Sequence, residues 1–351
     1  MILSTGRAQP KAEAFSGILS GIQSHCKTQA GKGQVTCYCC QSNEVRRRGF
    51  YRNRNFTVQR FKCSHCGKSF SEKTPLDGLR VPLDKAAQTV HLLCEGMGIR
   101  AIARFTSLDQ ETVLNVLELA GQKAARLMDQ QVRNVKADFV QADELLSFVR
   151  KKQQFAGDDE TCGNFYTHLA VCRDSKLIVN FQVSKRSRED SLAFMQDLKN
   201  RMAGRFMLTT DGLTTYVRKT GVVHEVFGNS IDYASEVKVF SKENPFSIWR
   251  GRLPAVVRIN RKARIGNPDL RMATTCHVER MNLSVRLFNR RFTRCTLGFS
   301  KKLDNLKHAV ALFVWHFDFV RKHSAHGKTP AMAANLTDHQ WTVQELLTAT
   351  V

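Results

Sequence analysis

Between residues 84 and 130 the apolar positions recur at helical spacing, whereas from 138 onward short apolar runs alternate with turn residues. In DKAAQTVHLLCEGMG, Val90, Leu93, Cys94 and Met97 keep one helical face, and Gly96 and Gly98 interrupt it. The run IRAIARFT follows, then SLDQETVLNVLELA, where Ser107 or Asp109 is placed to cap the last helix. Two short helices joined by a tight turn after a longer one predict a helix-turn-helix over 80–132, although a plain helical hairpin has the same apolar pattern. On the first reading Gln110, Thr112, Asn115 and Glu118 begin the helix that faces base edges.

The stretch DFVQADELLSFV reads as a strand, and FYTHLAVCRDSKLIVNFQVSK as two strands joined by a turn at Arg173 to Lys176. EDSLAFMQDLKNRM carries Leu192, Met195 and Leu198 at helical spacing, and GRFMLTTDG is a further apolar strand ending in Asp-Gly. Strands, then a helix, then a strand imply an α/β layer structure with helices on the sheet faces. Over 218–275 the pattern gives one short strand at 221–227 and otherwise a basic, irregular stretch. Helical spacing returns at 276–292 and 301–321. Residues 1–34 show no sustained period and read as a loosely ordered lead-in; 326–351 reads as a C-terminal tail.

Composition narrows the partner. A formal net charge of +23 and a pI near 9.9 in 351 residues point to a polyanion, and nucleic acid suits this better than a membrane. A hydrophobic content of 42% with 7 prolines belongs to a folded chain. No run of 18 apolar residues predicts a transmembrane helix, and the first 30 residues lack the apolar core of a secretion signal. A reducing, cytoplasmic compartment is therefore expected, and disulfides are not.

Four of the 11 cysteines have metal-ligand spacing. Cys37 and Cys40 form one C-x2-C knuckle and Cys63 and Cys66 another, so that two knuckles complete a tetrahedral four-thiolate site for structural Zn2+. Cys39 in place of Cys40 gives a poorer C-x-C geometry. A segment as short as 35–74 buries little core alone, and zinc would supply its folding energy. Between the knuckles lie Arg46, Arg47, Arg48, Arg52, Arg54, Arg60 and Lys62, interleaved with Phe50, Tyr51, Phe56 and Phe61, a pattern suited to phosphate contacts from a zinc ribbon. The other seven, Cys26, Cys39, Cys94, Cys162, Cys172, Cys276 and Cys295, read mostly as small buried hydrophobes.

Three carboxylates stand out. Asp143 interrupts one apolar strand and Asp211 ends another beside Gly212. On adjacent strands these charges would repel unless protons or cations neutralise them, and hard oxygen ligands favour Mg2+ or Mn2+. At about 100° per residue, Val278, Met281, Val285, Phe288 and Phe292 share a stripe that packs on a sheet. Glu279, Asn282, Arg286 and Arg290 lie on another face, so Glu279 is placed to be a third ligand. A solvated Glu on a basic helix is the commoner object. Glu144 adjoins Asp143, but neighbours on a strand point to opposite faces. His277 and His308 read either as structural histidines or as aids to holding DNA.

The ordered signatures ADEL (142–145), TDGLTTY (210–216), HVERMN (277–282) and RRFTRCTLGFSKK (290–302) resemble those of bacterial DDE transposases of the insertion sequence 1 family. The zinc-ribbon and helix-turn-helix patterns upstream are similar too, and the resemblance covers roughly 35–340. It implies an RNase H-like catalytic core at about 136–325, a mixed sheet flanked by helices, with Asp143, Asp211 and Glu279 as its metal-binding triad. It also implies cleavage and strand transfer at terminal inverted repeats, and assembly of a homodimer or larger complex on double-stranded DNA. Arg280, Asn282, Arg286, Arg290, Arg291 and Arg294, with Lys301 and Lys302, would hold DNA phosphates. Two departures are visible: Leu146 stands where the family often has Trp, and the interval from Asp211 to Glu279 is long. The extra residues, about 228–275, include Arg250, Arg252, Arg258, Arg261, Lys262 and Arg264 and suggest an inserted DNA-contacting segment. A transcription regulator with an inactive core, or a metal-dependent nuclease that does not join, are the other readings.

Overall fold

The computed structural model describes residues 35, 37, 39–40, 42–52, 57–71, 76, 79–241 and 255–349. The expectations for the lead-in, for Cys26, Arg54 and Phe56, and for Arg250 and Arg252 lie outside the described residues. The chain divides into a small unit, residues 1–51 and 58–72, and a large one, residues 52–57 and 73–351.

In the small unit β1 (Val45–Arg52), β2 (Thr57–Cys63) and β3 (Ser69–Ser71) form a sheet in that order. Phe61 faces Phe70 across the antiparallel β2–β3 pair, and the two rings stack at 5.7 Å. Among the described residues there, only Val58 and Phe61 join Cys37 and Cys63 as buried apolar residues, while Phe50 and Tyr51 stay exposed. So little buried carbon cannot offset the entropy of ordering the chain, and the cysteines must contribute.

The large unit is built on a six-stranded sheet of order β6-β5-β4-β7-β8-β9. Its strands are β4 (Phe139–Val149), β5 (Gly163–Cys172), β6 (Ile178–Ser184), β7 (Met207–Thr210), β8 (Asp232–Phe240) and β9 (Val256–Ile265). β4, β5 and β6 pair antiparallel, β7 and β8 run parallel to β4, and β9 returns antiparallel to β8. The strand expectations over 139–184 and at β7 match these elements closely. Between β6 and β7 runs α4 (Arg188–Arg201), opened by a Ser187–Asp190 capping box.

Before the sheet come α1 (Leu83–Cys94), α2 (Ile99–Thr106) and α3 (Gln110–Gln131). Asp109 rather than Ser107 caps α3, accepting from the Thr112 N–H at 2.7 Å; Ser107 takes the left-handed conformation at the end of α2. The third helix is longer than the sequence suggests, because Ala124, Leu127 and Met128 continue its buried stripe into the core shared with the sheet.

α3 approaches the last long helix closely at Gly121. A Cβ there would lie 2.5 Å from His308 Cβ and 2.6 Å from the His308 carbonyl oxygen. In an open helix Gly→Ala would gain about 1 kcal/mol. Here backbone must move, so Gly121→Ala is expected to destabilise the protein by about 1–3 kcal/mol. A melting temperature equal to or above that of the wild type would remove the close-packing explanation.

Two expectations for 218–275 are corrected. The segment around 221–227 is α6 (Val222–Phe227), which follows the short α5 (Thr214–Val217), and is not a strand. Its valines suggested β structure, but Val222, Val223, Val226 and Phe227 are buried on one helical side. The supposedly irregular segment after it contains β8 and β9, whose hairpin continues past the end of β7: β7 pairs only with Asp232 to Ser235. Most of β9 is exposed, so no burial-driven alternation marks it in the sequence.

The helix expected at 276–292 is α7 (Cys276–Phe288) followed by a single 3-10 turn, Arg290–Phe292. Next come α8 (Leu303–Trp315) and one π-helical turn, His316–Val320. The 326–351 tail carries α9 (Pro330–Ala333) and α10 (Val343–Thr348), and Val343, Leu346 and Leu347 are buried in the core. Cys94, Cys162 and Cys172 are buried as expected, but Cys39, Cys276 and Cys295 are exposed. No helix among the described residues is long and apolar enough to cross a membrane.

Candidate active site

The register of the central strands places the first two carboxylates side by side. Ala142 on β4 pairs with Thr210 on the parallel β7, so Asp143 and Asp211 are the next residue on each chain. Parallel neighbours lie about 4.8 Å apart. β7 ends there, and the Asp211 carboxylate accepts from the Leu213 N–H at 2.9 Å, turning the chain away from the sheet.

α7 crosses the same sheet face, and its entry is set by Gln141. The Gln141 Oε1 accepts the backbone N–H groups of His277 at 2.9 Å and Val278 at 3.1 Å, two donors at the start of a helix that otherwise lack partners. Val278, Met281 and Val285 then bury against the core, as the helical stripe predicts. Asn282 departs from that expectation: it is 5% exposed, not on an open face, and its Nδ2 donates to Asp143 Oδ2 at 2.7 Å. Its Oδ1 is buried with no partner.

Burial pushes the Asp143 carboxyl up to about 6, and the negative charges of Asp211, Glu144 and Glu279 add to the rise against the opposing Glu144 backbone N–H. Asp211 is raised as well, first by burial and then by Glu144, with its own backbone hydrogen bond and Arg186 acting against the rise. The pair is thus short of positive charge, and hard oxygen donors in this state suit a divalent cation of the Mg2+ or Mn2+ kind.

Glu279 lies in the first turn of α7 and is held by other partners. Lys238, on the projecting end of β8, forms an ion pair with its carboxylate, and Thr275 Oγ1 donates to it at 2.7 Å. The oxygens of Asp143, Asp211 and Glu279 do not all come within 4.8 Å of one another; among the described residues that spacing is met by the four cysteines alone. Beneath Thr275, the buried Glu236 accepts from the Thr275 N–H at 3.2 Å and from Arg261 Nε at 2.9 Å, tying β8, β9 and the start of α7 together.

Glu144 points away from this face. Burial works to raise its pKa, but His168, Tyr216 and Arg186 outweigh it, and the carboxyl ends below its ordinary range. Arg186 Nε lies 2.7 Å from Glu144 Oε2, and His168 Nδ1 lies 3.2 Å from the Tyr216 hydroxyl. Gln141, Arg186, Glu236 and Lys238 were not singled out by the sequence. Each sits on a strand or turn, and only three-dimensional register shows what it faces.

In the small unit the sulfurs of Cys37 and Cys66, and those of Cys40 and Cys63, are 3.6 Å apart, and all four lie within 4.8 Å of one another. The Cys37 thiol is drawn down to about 6, chiefly by the Cys40 backbone N–H. Cys66 is pushed up to about 12, because burial and its three neighbouring thiols outweigh the Lys68 backbone N–H. Crowded sulfurs that resist joint ionisation fit a tetrahedral cation such as Zn2+.

The expected DNA contacts occupy different settings. Arg46, Arg47, Arg48 and Arg52 are exposed along β1, and Gln110 and Asn115 are exposed on α3. The Thr112 hydroxyl is committed to Asp109 Oδ2 at 2.6 Å, so it serves the helix cap. Arg280, Arg290 and Arg294 are exposed, whereas Arg286 is half-buried and feels the charge of Asp143. Arg291 is sunk into apolar surroundings that bring its pKa down to about 10. Leu146 is exposed two strand positions beyond Glu144.

No family model matches the chain, and no curated protein matches it. Among solved structures, one similar chain comes from a simian T-cell lymphotropic virus intasome in complex with the PP2A regulatory subunit B56 gamma. The identity is 14%, the match covers 71% of this chain and 74% of that one, and the TM-score is 0.31, too low to carry an argument.

Proposed function

We propose that this protein is a DDE-type DNA transposase that cleaves phosphodiesters at the ends of an insertion sequence and joins the freed 3′ ends to target DNA. The observation that carries the reading is the adjacent placement of Asp143 and Asp211 at one end of two parallel central strands, both short of neutralising charge. The six-stranded mixed sheet flanked by helices supports it, as the kind of layer structure that an RNase H-like core implies. The net charge of +23 supplies the affinity for DNA.

Asp143 and Asp211 would hold divalent ions, which when bound lower the pKa of water and stabilise charge on the leaving 3′ oxygen. Asn282 holds the Asp143 carboxylate through its 2.7 Å hydrogen bond to Oδ2. Glu279, now paired with Lys238, would be the third residue to hold a cation. Arg280, Arg290 and Arg294 would hold DNA phosphates beside α7, and the four-thiolate unit with Arg46 to Arg52 would contribute to recognising the element's inverted repeats. Both ends must be processed together, so a dimer or larger assembly on DNA is expected.

The Lys238–Glu279 ion pair is the one observation that favours a regulator with an inactive core, since it occupies the third ligand. The two readings part on Lys238→Gln. An exposed pair is worth roughly 0.2–1 kcal/mol, so freeing Glu279 should lower the Mg2+ concentration for half-maximal cleavage by a factor of about 1.4 to 5. A rise in that concentration would mean that Lys238 supports the centre and does not compete with metal.

The function itself is tested with labelled inverted-repeat ends, a target plasmid and Mg2+. Joined products are expected. Cleavage without joining would identify a nuclease, and bound but uncut DNA a regulator.

A further inference from the structure

Along the flank of α7 turned away from the carboxylates runs a groove of about 540 Å3. Its floor is apolar, formed by Leu283, Leu287, Phe288 and Phe317, with Leu283 50% and Leu287 65% exposed. Its rim is cationic, with Lys176, Arg280, Arg321 and Lys322, and no acidic residue lines it. The Arg321 guanidinium sits 3.6 Å over the Phe288 ring, making a flat surface that is polarisable and positive.

His277 and His323 complete the wall. His323 has a lowered pKa, through burial first and then the neighbouring cations, so near neutral pH it is a hydrogen-bonding group rather than a charge. Lys176 and His277 both feel the charge of Asp174, which is paired with Arg173.

Scattered exposed leucines are ordinary on a protein surface. Exposed leucines enclosed by four cations and no acid ask for an occupant with an apolar face and a negative charge. A second copy of this chain would bring its own net charge of +23 against the rim. A nucleotide has both features: a flat base that stacks on aromatic rings and guanidinium planes, and a phosphate that Arg and Lys hold. The volume falls within the range of small-ligand clefts, about 300–1,000 Å3. A base inside a duplex is stacked and cannot enter.

We propose that this groove receives one unpaired nucleotide of a DNA strand, its base on the Leu287, Phe288 and Arg321 floor and its phosphate between Arg280 and Lys322. The inference rests on the DNA-processing reading, but its test reads binding alone, so a protein inactive in cleavage can still pass it.

The full chain is titrated without added divalent metal against two fluorescent duplexes. One ends in a single unpaired 2-aminopurine nucleotide; the other has the same sequence fully paired. The frayed duplex should bind about tenfold tighter, the worth of one stacked base, with its fluorescence quenched. Leu287→Glu, an exposed substitution that folding tolerates, should erase that preference and the quenching while leaving fully paired binding unchanged. Lys322→Glu should weaken the frayed duplex preferentially. Equal affinity of the wild type for both duplexes would overturn the proposal, as would equal losses for both in Leu287→Glu. So would competition by polyglutamate, or by phosphatidylglycerol vesicles, as effective as that of the frayed oligonucleotide.

Discussion

Asp143→Asn should give a protein that is more stable than the wild type at neutral pH and has lost DNA cleavage. The folded-state pKa of Asp143 is raised from 3.8 to about 6. The folded form therefore holds its proton more tightly than the unfolded chain does, and stability falls as pH rises from about 4 through 6. That rise in pKa corresponds to about 3 kcal/mol at most, in a group still partly open to solvent. Asparagine carries no charge to desolvate, and its side-chain oxygen can still accept from Asn282. For a unit of this size the melting temperature at pH 7.5 should rise by roughly 5 °C, and the gain should vanish at pH 4, where Asp143 is already neutral. Cleavage should fall at least about a thousandfold, since several kcal/mol of transition-state stabilisation rest on the ligand set. A variant that melted lower at pH 7.5 and retained cleavage would make Asp143 a structural residue.

Loss of zinc should unfold the small unit and leave the large one standing. Cys63→Ser removes one of four sulfurs that lie within 4.8 Å of one another, in a unit where, among the described residues, the other buried apolar side chains are Val58 and Phe61. Without the cation the remaining thiols cannot share the space as thiolates, and the β2–β3 pairing loses its anchor. The expected result is the disappearance of dispersed NMR signals from residues 37–71, with the melting of the large unit unchanged. Affinity for inverted-repeat DNA should fall at least about tenfold, because the β1 arginines lose their common scaffold. Retained signals and unchanged affinity after stoichiometric zinc removal would show the cluster to be neither structural nor needed for DNA.

How far the sequence foretold this differs between elements, for physical reasons. β4, β5, β6 and β7 were readable because most of their residues are buried, so apolar runs bounded by turn residues mark them. β9 was not, because exposed Val256, Val257 and Ile259 alternate with nothing that burial requires. α6 read as a strand since Val-Val is a β signal locally, and only packing on α4 makes it helical. The carboxylates at Asp143 and Asp211 stood out as charges interrupting or ending apolar strands. Their alignment depends on the parallel register of β4 with β7, and that was an assumption. The helical stripe of α7 was right for Val278, Met281 and Val285. It misplaced Asn282, because a polar residue was assigned to solvent when a buried carboxylate was waiting for a donor. Lys238 was invisible for the same reason: its partner, Glu279, lies 41 residues away on an element it meets only in the fold.

The central claim is that Asp143 and Asp211 form a divalent-cation centre, and Mn2+ binding followed by electron paramagnetic resonance tests it most directly. The wild-type protein should bind Mn2+ at this centre and release it to excess Mg2+, with zinc kept saturating. The double variant Asp143→Asn, Asp211→Asn should leave the Mn2+ signal that of the free ion at the same concentrations. Equal Mn2+ binding by both proteins, displaced equally by Mg2+, would contradict it.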